Sequence, residues 1–61
     1  MNFKWKQIGE KFYDIIAGEK IIGVLYWLKN NQWILNIPDL NIYREDQTYK
    51  SLMQYAEIQL N

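Results

Sequence analysis

The chain has no cysteine, which excludes a disulfide framework and any thiolate metal site. It has no histidine either, so the commonest transition-metal ligand and the commonest general base are both missing. One proline and three glycines are all that punctuate its 61 residues. An excess of charge is also lacking, since seven basic residues balance seven acidic ones. Nucleic-acid binders draw much of their affinity from phosphate neutralisation, so neutrality argues against that role except through a local patch. No run approaches the roughly 18 continuous apolar residues of a membrane span. The longest, Ile21 to Leu28, is interrupted by Gly23 and ends at Lys29. The opening residues, Met1-Asn2-Phe3-Lys4-Trp5-Lys6, lack the apolar stretch of a secretory signal. The expectation is a cytoplasmic protein with no membrane partner.

What is present is apolar and aromatic. Hydrophobic residues make up 49% of the chain and aromatics 16%, far from a disordered composition. The length allows one domain, residues 1–61. A domain this small buries only about 60% of the surface its unfolded chain exposes. With disulfides and thiolate metals excluded, the remaining sources of stability are a dense core or self-association.

Turn signals divide the chain. Gly9-Glu10, Gly18-Glu19 and Asn30-Asn31 separate segments rich in Ile, Val, Tyr and Trp, which read as strands over residues 10–17, 20–29 and 32–37. Residues before Gly9 read as a shorter edge strand. Pro38 ends the last strand because it cannot donate to a ladder, and a loop follows from Asp39 to Glu45. Tyr49, Leu52, Met53, Ala56 and Leu60 then recur with helical spacing, predicting a helix over about residues 47–60, capped by Asp46 or Thr48. Ser51 with Gln54 also has capping-box spacing. The fold class expected is α+β: an antiparallel meander of three to four strands with one C-terminal helix packed on one face, in the order ββββα.

If Gly18-Glu19 and Asn30-Asn31 are two-residue turns, Ala17 pairs with Lys20 and Lys29 with Gln32. Cross-strand partners share a face, and faces alternate along a strand. One face then collects Tyr13, Ile15, Ile22, Val24, Tyr26, Leu28, Trp33, Leu35 and Ile37, and the helix belongs against it. The other collects Phe12, Asp14, Ile16, Ile21, Gly23, Leu25, Trp27, Ile34 and Asn36, with Phe3 and Trp5 beside them. One helix covers one side of a sheet, so this second face would present an apolar patch that monomeric proteins rarely leave open. A second copy, another protein, or the folded-back N-terminal segment could cover it. A curled sheet or longer turns would explain it within one chain.

No catalytic constellation is present: there is no nucleophile–histidine pair, no Gly-rich phosphate loop and no metal-ligand cluster. Asp39, Glu45 and Asp46 bracket a loop without the spacing of a hard-cation site. Asp14, between Tyr13 and Ile15, reads as a charge that protects the sheet from unwanted packing. Lys4, Lys6 and Lys11 lie among Phe3, Trp5 and Phe12, a mixture that can bind single strands by stacking and phosphate contact, or can simply deter edge pairing.

From Tyr26 onward the chain carries Trp33 in a strand, the step Ile37-Pro38-Asp39-Leu40, and Thr48 leading to Leu52 and Ala56. In these features it resembles the small HicB-type antitoxin domain. It departs from that family in having Asn41-Ile42-Tyr43 after the leucine and Glu45-Asp46 in place of a Gly-Asp step. The resemblance implies a protein that neutralises a small ribonuclease toxin by masking it. In general type the chain is also similar to small phage-encoded inhibitors such as anti-CRISPR proteins.

The expected function is therefore that of a non-enzymatic protein-binding module. It would act as a stoichiometric inhibitor masking a larger partner, such as a nuclease or a nucleic-acid-targeting defence complex, and is itself a candidate homodimer. Trp5, Phe12, Ile16, Ile21, Leu25, Trp27 and Ile34 are the expected partner or dimer contacts, since aromatic anchors dominate interface energetics. On that assignment Trp27→Ala weakens assembly more than it lowers stability. The alternative is a small nucleic-acid-binding domain using Lys4, Lys6 and Lys11 with Trp5 and Phe12. No cofactor is expected.

Overall fold

The computed structural model describes residues 2–61. Its strands are β1 (Lys4–Gly9), β2 (Phe12–Ala17), β3 (Lys20–Leu28), β4 (Gln32–Ile37) and β5 (Ile42–Asp46), followed by one helix, α1 (Tyr49–Leu60). The five strands form one antiparallel sheet in the order β1-β2-β3-β4-β5, so every strand pairs with its neighbour in sequence. The expected α+β meander with one C-terminal helix is present. It gains a fifth strand from residues expected to be a loop.

The turns follow from residues that tolerate a left-handed backbone. Gly18 has φ +66 and stands first in the two-residue turn that joins Ala17 to Lys20, the position where type II′ hairpins demand glycine. Asn30 and Asn31 have φ 65 and 55, a region in which Asn is enriched among residues with a Cβ. Pro38–Leu40 forms a single 3-10 turn that closes when the Asn41 N–H donates to the Pro38 carbonyl at 3.0 Å. Asn41, at φ 55, then redirects the chain so that Ile42 pairs with Ile37 and β5 begins.

The Thr48 hydroxyl caps α1 by accepting from the Ser51 N–H at 3.4 Å. The Asp46 carboxylate accepts from the Gln47 N–H at 2.6 Å and steadies the approach to the helix. Leu52, Ala56 and Leu60 point into the sheet and are buried. They meet Ile15, Leu25, Leu35, Ile37 and Ile42 to form the core. At its N-terminal end the core is extended by a tilted and stacked aromatic group, Tyr13, Trp33 and Tyr49, with centroids 5.1–6.5 Å apart. Tyr55, which lies outside the Tyr49–Leu60 stripe of helical spacing, is half-buried, packs against the core and carries Arg44 over its ring at 4.2 Å.

Three register details decide which residues share a face, and they correct the sequence expectation. Ile15 pairs with Gly23 while Ile16 pairs with Ile21, so Ile22 is an extra residue in β3. Such a bulge flips the parity of everything after it relative to the neighbouring strand. The β3–β4 connection holds three residues, because Leu28 rather than Lys29 pairs with Gln32. This second shift flips the parity back. The two cancel in β4 and leave only β3 reversed, from Gly23 onward. In β1, Gln7 pairs with Tyr13 and Gly9 with Phe12, so Ile8 is extra and the turn is Glu10-Lys11. That shift puts Trp5 opposite Ile15.

Candidate interaction surface

The helix face takes Trp5, Tyr13, Ile15, Gly23, Leu25, Trp27, Trp33, Leu35, Ile37 and Ile42. Leu25 is fully buried there and has no surface to offer a partner. Trp27 is half-buried and sits under the Lys11 ammonium, 3.8 Å from its ring centroid. Trp5 packs partly against the core and makes an edge-to-face pair with Phe3 at 6.0 Å. Its buried indole N–H finds no acceptor among the described residues. Trp5, Leu25 and Trp27 were expected on the second face, and the bulges at Ile8 and Ile22 place them on the helix side instead.

The open face takes Phe12, Ile16, Ile21 and Ile34 as expected, joined by Val24, Tyr26 and Leu28. Tyr43 of β5 lies on the same side, paired with Asn36. The sequence put Val24, Tyr26 and Leu28 under the helix. The only signal against that was Gly23, whose place in a β-rich run is where bulges and close approaches concentrate. Ile34 is fully buried although no helix covers it. Tyr26 and Glu45 flank it across the sheet, and Gln32 and Asn36 precede and follow it on the same side of β4. The Gln32 amide donates to the Glu45 carboxylate, which ties two of those neighbours together. Phe12 stacks on Tyr26 at 5.9 Å and 19°. Around this centre large apolar side chains stay in solvent, with Ile21 57% exposed, Tyr43 59% and Leu28 44%.

Charges rim the face unevenly. Lys4 and Lys6 stand on it at the β1 edge, paired with Ile16 and Asp14, and Glu45 stands at the β5 edge. Lys11 does not join Lys4 and Lys6, because it lies over Trp27 on the other side of the sheet. The expected cluster of lysines with Trp5 and Phe12 is thus divided between two faces. At one end of the open face, Ile21, Val24 and Asn36 meet Pro38 and Asp39 around a shallow cleft of about 330 Å³. The Lys20–Asp39 ion pair at its rim, 3.7 Å long and well exposed, contributes little. Among the described residues no three acidic side chains gather to hold a metal ion. No described helix is long and apolar enough to cross a membrane.

Comparisons with protein-family models, with curated proteins and with solved structures each find no match for this chain.

Proposed function

We propose that this chain is a non-enzymatic protein-binding module that acts by occlusion, laying its open sheet face on a larger partner and masking it. A nuclease or a nucleic-acid-targeting defence complex is the class of partner intended, and the likeness to HicB-type antitoxins from Tyr26 onward supports that choice. The observation that carries the reading is the set of exposed apolar side chains along the open face, with Ile21, Leu28 and Tyr43 in solvent on a side no described helix covers. Patches of this kind, rimmed by polar groups, mark interaction sites. Tyr26 and Phe12, already stacked, are rigid aromatic anchors of the sort that dominate binding energy.

Site-specific photo-crosslinking in the native host tests the reading. A photoreactive residue at Ile21 samples the open face, and one at Ile58, 73% exposed on α1, samples a surface with no proposed role. Adducts with a defined partner from position 21 and none from position 58 are expected. The purified partner should lose its activity at an equimolar end point. Equal labelling from both positions, or a partner bound without loss of activity, overturns it. The competing reading, phosphate contact through Lys4 and Lys6, predicts binding that weakens steeply as salt rises.

A further inference from the structure

A five-stranded sheet has a middle strand, and here it is β3, carrying Val24 and Tyr26 on the open face. Reading across the sheet, one row is Lys6, Asp14, Val24, Asn36 and Tyr43. The next is Phe12, Tyr26, Ile34 and Glu45. The β1 edge is therefore positive and the β5 edge negative. Two copies packed face to face, with strands aligned within about 30°, can be related by a two-fold axis along the strands or across them. An axis across the strands lays β1 on β1, setting Lys4 and Lys6 against their own copies. An axis along β3 lays β1 on β5. Lys6 of one copy then meets Tyr43 and Glu45 of the other. Asp14 faces Asn36, whose amide can donate to it, and Tyr26 and Val24 meet themselves on the axis.

We infer that the open face takes a second copy of this chain in that second arrangement, two five-stranded sheets packed as a sandwich with the two-fold axis along β3. The inference rests on the open face being a protein contact surface: in the free protein a second copy covers that face, and a larger partner engages it by displacing the copy. Charge complementarity selects the axis. The two longest dimensions of the molecule, 32 and 21 Å, bound a face at roughly 700 Å² per copy, which reaches the lower end of the range for specific interfaces. A domain this small, without disulfides, is also the kind that gains stability from self-association.

Sedimentation equilibrium from about 1 μM to about 1 mM reads the association directly. A mass twice the 7.5 kDa of the chain is expected at the upper end. Lys6→Glu and Glu45→Lys should each weaken the dimer by about tenfold or more, and the double exchange should restore most of the loss, because it regenerates the opposite pair. Tyr26→Glu puts two carboxylates on the axis and should leave a monomer with a native circular-dichroism spectrum. Should that variant fail to fold, the charge exchange carries the test alone. A double exchange weaker than either single change overturns the geometry. A strictly monomeric protein at about 1 mM overturns the homodimer, while the photo-crosslinking result still decides whether the face binds some other protein.

Discussion

Replacing Gly23 with alanine tests the register on which the two faces depend. Gly23 stands on the helix side, between Ile15 of β2 and Ile37 of β4. A Cβ there would lie 2.8 Å from the Asn36 carbonyl oxygen, 2.9 Å from Ile37 Cγ1 and 3.3 Å from Ile15 Cδ1. The first of these is backbone held in a ladder, so it cannot give way cheaply. Overpacking of this kind costs about 1–3 kcal/mol. Alanine also reduces the freedom of the unfolded chain, which returns about 0.4–1 kcal/mol. The clash wins, and a net loss of about 1–2 kcal/mol follows, or a melting temperature lower by roughly 5–15 °C in a domain of this size. Gly9 is the control: a Cβ there meets nothing within 4 Å. Gly9→Ala should therefore keep only the unfolded-state gain and melt a few degrees higher. Thermal denaturation followed by circular dichroism measures both. If Gly23→Ala melts at or above the parent chain, Gly23 has open space beside it. That is where the unbulged register puts it, and the face assignment fails.

Trp27→Ala should cost about 2–3 kcal/mol of stability, below the range for a fully buried tryptophan because the ring is half-exposed, and should leave self-association unchanged once folding is allowed for. Denaturant unfolding alongside sedimentation checks it, and a weakened assembly with unaltered stability would return Trp27 to the open face. Thr48→Ala removes the helix cap, and with a 3.4 Å bond the loss should fall near about 0.5–1 kcal/mol, recovered by Thr48→Ser.

Much of the architecture is legible in the residues. The helix stripe from Tyr49 to Leu60, the Gly18-Glu19 turn, the stop at Pro38 and the faces of β2 and β4 all follow from periodicity and turn chemistry. β5 was hidden because only Ile42 of its five residues is buried, so Tyr43-Arg44-Glu45-Asp46 carries the polarity of a loop. Its strand character comes from pairing with β4 and not from propensity, which is weak evidence in an edge strand. The faces of β3 were misread for a different reason. With Ile or Val on both sides of Gly23 and large apolar residues up to Leu28, alternation in β3 does not distinguish inside from outside. Parity there is set by a bulge and a three-residue turn, each invisible to a pattern that is apolar at nearly every position. The candidate surface inherits that gap, so Phe12, Ile16, Ile21 and Ile34 were found while Val24, Tyr26 and Leu28 were exchanged for Leu25 and Trp27.

The uninterrupted meander also bears on how fast the chain finds its structure. Each strand pairs only with its sequence neighbours, and α1 packs beside β4 and β5, the strands nearest to it along the chain. Within the sheet no loop has to close over a long stretch of disordered chain before a contact rewards it; only the docking of α1 on Tyr13 and Ile15 of β2 joins distant parts of the sequence. Folding rate falls as contacts span more sequence, so this sheet belongs nearer the millisecond end of β-rich domains than the seconds end. Hairpins can form in succession from any of the tight turns. A chain that folds this quickly exposes its apolar strands only briefly, which limits the time in which unpaired edges can aggregate.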